Sequence, residues 1–360
     1  METVRFGLVG AGAIAPSHTT GIRKTQSAEL AAICVRREEQ KQELEQRHKI
    51  PCFTSLEEML DSGLIDAVSI ITPSGLHLDP ALQAAEAGVH VLVEKPMHTT
   101  VEGIDQMIEA ARKNNVKLGC TFQARFRDVP QRVKRLIDAG ALGHIYSGCA
   151  YHKAYRTQEY YDSAGWRGTM EIDGGGCLMN QGSHTVDLLL WNMGKVKSVI
   201  AMAETAGRER IDVETLAFIL MEYESGAKGT IESTTLAYPG VPPHIEIFGS
   251  RGTISFDSKR VIRLDLLDPT PEEERLRADL LRYTEESSAE TTQKEGAPGD
   301  RAGTVVTSED MGHGRVVEDF VHAILNDGEP LVSGEEARRS VELITTAYES
   351  AKRGSAQIRL

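Results

Sequence analysis

Three groups of residues in this 360-residue chain are spaced for chemistry. The first is Gly10-Ala11-Gly12-Ala13-Ile14-Ala15, which follows the apolar run Val4–Val9 and opens a helix-prone stretch. In this G-x-G-x-x-A pattern the first glycine permits a tight turn and the second lets backbone approach a pyrophosphate. The small last residue lets helix pack on strand. The helix N-terminus then offers N–H groups and a positive dipole end, so Gly10, Gly12, Ala13 and Ile14 are expected to hold a dinucleotide. The second group is Val93-Glu94-Lys95-Pro96, which puts a lysine just past a buried strand. The third follows Gly174-Gly175-Gly176, where Asn180 and His184 stand at i and i+4 and are read as one helical face, with Asp187 three residues beyond. Oxidising a secondary alcohol needs a hydride acceptor, a base for the hydroxyl proton and a cation beside the developing alkoxide. A dinucleotide turn, His184 and Lys95 could supply all three.

The choice between NAD and NADP depends on the end of the second strand, where an acid would bind the ribose 2′-hydroxyl. This chain reads Cys34-Val35-Arg36-Arg37, with no acid before Glu38. Arginine grips a 2′-phosphate or stacks on adenine, so Arg36 and Arg37 lean the expectation toward NADP.

Elements alternate through the first 120 or so residues. Apolar runs at 4–9, 29–35, 67–71, 89–93 and 116–122 are separated by helix-prone stretches at 13–25, 37–48, 78–87 and 101–113. That alternation predicts a doubly wound parallel sheet with helices on both faces. After about residue 123 the pattern changes. A helix at 130–139 precedes longer runs with partial alternation at 145–152, 197–203, 214–223, 228–235, 244–248 and 252–256. Glu224-Ser225-Gly226 is a hairpin signal, and helices are expected near 176–193, 313–326 and 335–352. The polar stretch 268–310 reads as mostly a surface excursion. The predicted organisation is an α/β Rossmann domain at 1–123 and an α+β domain with a large, mainly antiparallel sheet at 124–360. The terminal helix near 335–352 is expected to pack back on the first domain.

Four motifs in order make a family resemblance specific: the glycine turn, Thr72-Pro73-Ser74 with His77, Glu94-Lys95-Pro96, and Trp166-Arg167-Gly168 leading to 174–187. Over nearly the whole chain they resemble the Gfo/Idh/MocA oxidoreductases, named for glucose–fructose oxidoreductase and inositol dehydrogenase. The resemblance implies a Rossmann domain, a sheet domain that commonly serves oligomerisation, and redox chemistry on sugars, cyclitols and their derivatives with NAD(P). It places Thr72, Pro73, Ser74, His77, Glu94, Lys95, Trp166 and Arg167 with the cofactor. Lys95, Arg125, Tyr155, Arg167, Asn180 and His184 are placed with the substrate. Lys95 and His184 are the expected catalytic pair, Lys95 touching both the substrate hydroxyl and the nicotinamide ribose. Inositol dehydrogenase-like members carry Asp where this chain has Asn180, so the charge that would offset an imidazolium is absent there. Asp187 either supplies it or holds the helix in place.

Five of the nine tyrosines lie at 146–161, with Arg156, Trp166 and Arg167 nearby. Flat rings suit sugar faces and arginines suit carboxylate or phosphate. This run resembles members acting on nucleotide-sugar uronic acids, such as the UDP-N-acetylglucosaminuronate 3-dehydrogenases, although it also occurs more widely.

Composition sets the outer limits. The net charge of −13 argues against general nucleic-acid binding. No run of 18 apolar residues is present, so no membrane span is expected. Five scattered cysteines without metal-ligand spacing point to reduced thiols, a cytoplasmic setting and no metal. The expected partners are a small sugar or cyclitol and further copies of the chain, in a homodimer or homotetramer. Two rivals are a redox-neutral glycoside-cleaving enzyme with retained NAD and a non-catalytic dinucleotide or sugar sensor. The sensor is disfavoured because Lys95 and His184 are both present.

Overall fold

In the computed structural model the described residues are 2–291 and 312–360, with backbone only at 286–291. Among them the chain forms two compact units. One is built from residues 2–123, 171–174 and 312–341, the other from 124–170, 175–291 and 342–360.

The first unit is a six-stranded sheet. Its strands are β1 (Val4–Val9), β2 (Ala28–Cys34), β3 (Cys52–Phe53), β4 (Ala67–Ile70), β5 (His90–Glu94) and β6 (Leu118–Thr121). They lie in the order β3-β2-β1-β4-β5-β6, every pairing parallel. Continuous apolar runs build these strands because both faces are covered: Phe6, Leu8, Ile33, Val68, Ile70 and Val93 are all buried. Helices α1 (Ala15–Lys24), α2 (Glu38–His48), α3 (Leu56–Asp61), α4 (Leu78–Glu86) and α5 (Val101–Lys113) connect them. A proline in the first turn of α1 suits a position where the missing N–H costs nothing.

The second unit carries an eight-stranded sheet. Its strands are β7 (Ile145–Lys153), β8 (Val196–Glu204), β9 (Leu216–Tyr223), β10 (Lys228–Thr234), β11 (His244–Gly249), β12 (Gly252–Phe256), β13 (Val261–Leu266) and β14 (Ile358–Arg359). The order is β13-β12-β11-β7-β10-β9-β8-β14. All pairings are antiparallel except β7 with β10. Tyr223, Glu224, Ser225 and Gly226 turn β9 into β10, with Gly226 N–H bonded to the Tyr223 carbonyl. Helices α6 (Asp128–Asp138), α7 (Gln158–Asp162), α8 (Ser183–Met193) and α9 (Pro271–Thr291) accompany the sheet. Alternate strand residues such as Ala150, Ile219, Ile231, Ile245 and Ile247 are buried on one face. On the other, Ile200, Met202, Phe218 and Leu220 stand exposed on paired strands.

Two further helices, α10 (His313–Leu325) and α11 (Gly334–Lys352), complete the chain. α10 belongs to the first unit; α11 begins in the first and ends in the second.

The expected surface excursion at 268–310 is corrected over its first half, since α9 occupies Pro271–Thr291. Only a narrow stripe of that helix is apolar: Leu280 is fully buried, and Arg132 lies over the Tyr283 ring at 4.4 Å. With so thin a stripe, a charged helix has the composition of a loop. Residues 292–310 of that expectation lie outside the described residues.

Candidate functional site

The glycine turn caps the carboxyl end of β1. Gly10 adopts φ +103°, a left-handed conformation that glycine takes without penalty, and its N–H bonds to the Cys34 carbonyl at 2.9 Å. The N–H groups of Gly12, Ala13 and Ile14 find no acceptor among the described residues, and nothing lies within 4 Å of where a Gly12 Cβ would be. An open backbone with donors at a helix start fits a pyrophosphate. The Gln40 amide of α2 donates to the Ala11 carbonyl at 3.3 Å, a tether not foreseen from the sequence. Together with the Gly10–Cys34 bond it holds the end of β2 against the turn. Arg36 and Arg37 follow from there, both exposed.

Two loops meet beyond β4 and β5. His77 is 1% exposed, with Nε2 2.7 Å from the Thr72 carbonyl and Nδ1 3.2 and 3.1 Å from the carbonyls of Pro96 and Met97. Burial pulls its pKa down despite those acceptors. The His77 nitrogens thus face backbone, and the side chain expected beside the dinucleotide fastens the Thr72-Pro73-Ser74 loop to the Lys95-Pro96 loop. Thr72 itself donates to the Leu76 carbonyl at 3.1 Å, ahead of the short 3-10 turn Ser74–Leu76.

The Glu94 side chain, also expected with the cofactor, is likewise engaged by the protein itself. It is 7% exposed, and its Oε2 accepts the Lys95 N–H at 2.7 Å. Its Oε1 lies 3.3 Å from His18 Nε2 and 3.7 Å from His313 Nε2. Burial alone would raise this carboxyl, but the hydrogen bond from His18, the close approach of His313 and the Lys95 charge outweigh it and hold the pKa well below the ordinary value. Burial in turn lowers His18. Neither histidine was singled out from the sequence; His18, three residues beyond the G-x-G-x-x-A turn, carried the only available signal.

In the second unit, the expected helix over 176–193 is interrupted. Cys177–Gln181 forms a π-helical turn, Gly182 intervenes and α8 begins at Ser183. Asn180 and His184 thus sit on different helical pieces, not on one continuous α-helical face. Glu214, a buried acid not singled out from sequence, caps the start of the π turn. Its carboxylate accepts Gly176 N–H at 2.9 Å, Leu178 N–H at 2.8 Å and the Tyr348 hydroxyl at 2.9 Å. Burial raises its pKa more than these donors lower it. A Cβ on Gly176 would overlap the Glu214 carbonyl, and one on Gly175 would overlap the Tyr348 hydroxyl, so only glycine fits.

Around that turn lies a polar cluster. Gln181 Nε2 donates to the Asn180 side-chain Oδ1 at 2.8 Å and to the Tyr160 hydroxyl at 2.9 Å. Arg156 Nε donates to Gln181 at 3.0 Å, and Arg167 donates to the Tyr160 hydroxyl at 2.9 Å. Arg167 also lies over the Tyr160 and Trp166 rings, and Arg208 over Tyr155. Among the described residues no carboxylate forms an ion pair with Arg156, Arg167 or Arg208. Arg125 stands apart. It is 1% exposed and grips Asp187 with two bonds of 2.8 and 2.7 Å. Arg125, expected with the substrate, is here buried and paired with Asp187. Of the two roles open to Asp187, the structure supports holding the helix, since both carboxylate oxygens face Arg125.

Residues 4–122 match the family model described as an oxidoreductase family with an NAD-binding Rossmann fold, and residues 131–255 match the GFO/IDH/MocA C-terminal domain. The chain is similar to the WlbA dehydrogenase of Bordetella pertussis, solved with NADH and UDP-GlcNAcA. The two are 35% identical over 100% of this chain and 98% of that one, with TM-score 0.87. For the WlbA dehydrogenase of Chromobacterium violaceum, with the same two ligands, the values are 32%, 100%, 96% and 0.86. It is also 27% identical to the myo-inositol 2-dehydrogenase of Thermotoga maritima, over 74% of this chain and 78% of that protein.

Proposed function

The chain belongs to the Gfo/Idh/MocA family and is an oxidoreductase that uses a nicotinamide dinucleotide, and from that premise we propose that its substrate is an acidic sugar, a hexuronate carried on a nucleotide. The carrying observation is the trio Arg156, Arg167 and Arg208, which has no carboxylate partner among the described residues of a chain with net charge −13. Guanidinium groups stacked on tyrosine and left without internal anions suit a carboxylate or phosphate. The UDP-GlcNAcA in the two WlbA structures supports the same reading.

When bound, the dinucleotide supplies the hydride acceptor. The N–H groups of Gly12, Ala13 and Ile14 hold its pyrophosphate. Lys95 steadies the charge that develops on the substrate oxygen as a ring alcohol becomes a ketone. His184 takes the hydroxyl proton, and Asn180 orients the sugar. Arg36 and Arg37 admit a 2′-phosphate, so NADP is accepted alongside NAD. The exposed quartet Ile200, Met202, Phe218 and Leu220 is covered by a second copy of the chain, giving a homodimer or homotetramer. A monomeric mass by light scattering at micromolar concentration would contradict that assembly. Five unpaired cysteines support a cytoplasmic setting.

The decisive assay compares dinucleotide reduction with UDP-GlcNAcA and with its neutral counterpart UDP-GlcNAc. The acid should be favoured by at least about a hundredfold in kcat/KM, the scale of losing one hydrogen bond to a charged group, about 1.5–3 kcal/mol. Equal turnover would end the acidic-sugar reading. Lys95→Ala should abolish turnover and leave dinucleotide binding intact, and His184→Ala should slow it by at least about a hundredfold. Near-normal rates in both variants would remove the assigned mechanism.

A further inference from the structure

We propose that His18 and His313 are positioning residues for Lys95, acting through the Glu94 carboxylate. The inference rests on the reading of Lys95 as the residue that steadies the substrate oxygen. All the geometry lies within the first unit. Glu94 ends β5, and its Oε2 fixes the backbone N–H from which the lysine side chain departs. The other oxygen meets two imidazoles, 1% and 2% exposed, whose rings pack edge to face at 4.8 Å. His18 Nδ1 lies 2.8 Å from the Ser69 hydroxyl of β4. That hydroxyl can donate to Nδ1, which leaves the proton on Nε2 to be donated to Glu94; the tautomer follows from these partners.

One carboxylate thus ties four pieces of chain together. His18 stands on α1, the helix opened by the glycine turn, and His313 begins α10. Ser69 belongs to β4, and Lys95 follows β5. The imidazoles hold the carboxylate, and the carboxylate holds Lys95 at a fixed offset from the helix that receives the pyrophosphate. A buried carboxylate with fewer donors would either take up a proton or swing away, and either change releases the Lys95 N–H.

The test pairs His18→Leu with His18→Gln in the full chain, because glutamine returns a side-chain N–H near the Nε2 position and leucine does not. Two readouts are taken. Amide exchange by mass spectrometry reports the Lys95 N–H directly and needs no substrate. It should quicken at least tenfold in the leucine variant and return toward wild type in the glutamine variant. Turnover of UDP-GlcNAcA should fall by at least about tenfold in the leucine variant, a modest part of the hundredfold expected for a misplacement of about 1 Å. The dissociation constant of NADH should move less than twofold. If His18→Leu fails to fold, Ser69→Ala loosens the same imidazole more gently and should show the same signs to a smaller degree.

Unchanged exchange and turnover in the leucine variant would overturn the proposal. So would one equivalent of a divalent metal ion in the purified protein that is lost with His18. The ligand atoms of His18, Glu94 and His313 all lie within 4.8 Å of one another, and such a result would make the cluster a metal site. Lys95→Ala separates the two layers of argument. Normal turnover in that variant sinks the role given to Lys95, whereas inactive Lys95→Ala beside fully active His18→Leu sinks only the positioning.

Discussion

Glu94 and Glu214 are two buried glutamates, one in each unit; Glu94 fastens the backbone N–H of Lys95, and Glu214 fastens two N–H groups of the turn that precedes the helix bearing His184. Their surroundings differ. Glu94 faces two imidazoles and the charge of Lys95, which together hold its carboxyl well below the ordinary value. Glu214 faces two backbone N–H groups, the Tyr348 hydroxyl and the Cys177 thiol, with no cation among them, and burial raises it. The same residue in the same task is therefore held charged in one place and pushed toward neutrality in the other. Adaptability differs too. An imidazole can exchange tautomers to suit a changed partner, whereas the N–H groups of Gly176 and Leu178 can only donate.

The comparison is broken most severely at the glycines. Gly176→Ala forces a Cβ into the Glu214 carbonyl, which is held by the Cys177 N–H at 2.9 Å, so a loss of about 3–5 kcal/mol is expected. In the first unit Gly21→Ala meets the backbone of His313 and Gly314 at 3.0–3.1 Å. There the gain of about 1 kcal/mol in helix propensity offsets most of the crowding. Denaturation midpoints should separate the two variants widely, and similar midpoints would mean that the Glu214 loop adjusts freely.

A smaller effect tests the carboxylates themselves. Glu214→Gln leaves a backbone N–H facing an amide N–H, at about 1–3 kcal/mol. Glu94→Gln should cost less, because His18 can switch tautomer toward the new amide. Their pH dependences should run in opposite directions. Glu214 titrates above its ordinary value of 4.5 when folded, so its contribution is fullest below that value and declines as pH rises through the folded pKa. Glu94 titrates below 4.5, so its contribution is fullest above that value and is lost as pH falls through the folded pKa. From pH 4 to 7 the deficit of Glu214→Gln against wild type should shrink, and that of Glu94→Gln should grow. Urea unfolding that shows both deficits changing in the same sense would undo the charge assignment.

The mildest expected change concerns the exposed end of β2. Replacing Arg36 and Arg37 by alanine should weaken NADP binding about tenfold, near 1.4 kcal/mol for lost charge-assisted hydrogen bonds. NAD binding should stay within twofold. A parallel loss for both dinucleotides, measured by fluorescence titration, would show that the arginines serve the fold or the adenine and not the 2′-phosphate.

Much of this architecture is legible in the residues alone. The glycine turn, the alternation of strand and helix and the Glu94-Lys95-Pro96 motif are local patterns, and local patterns survive in a linear text. A parallel sheet buried on both faces writes itself as apolar runs. The hairpin at Glu224-Ser225-Gly226 is equally local. The α9 helix is hidden for the converse reason, since one apolar stripe among many charges has the composition of a loop.

Other features depend on partners distant in the chain. Arg125 reads as a free cation near a substrate motif until Asp187, 62 residues later, occupies it. Glu214 lies 36 residues beyond the Leu178 N–H it accepts at the start of the π turn. His18, Glu94 and His313 share no spacing at all. By itself the sequence determined the class of fold, the dinucleotide turn and the identity of the proposed catalytic side chains, because periodicity and short motifs encode those. Only the tertiary structure decided which acids are charged, which arginines remain without carboxylates and where the helix breaks. Desolvation and hydrogen bonding act between groups that folding alone brings within reach.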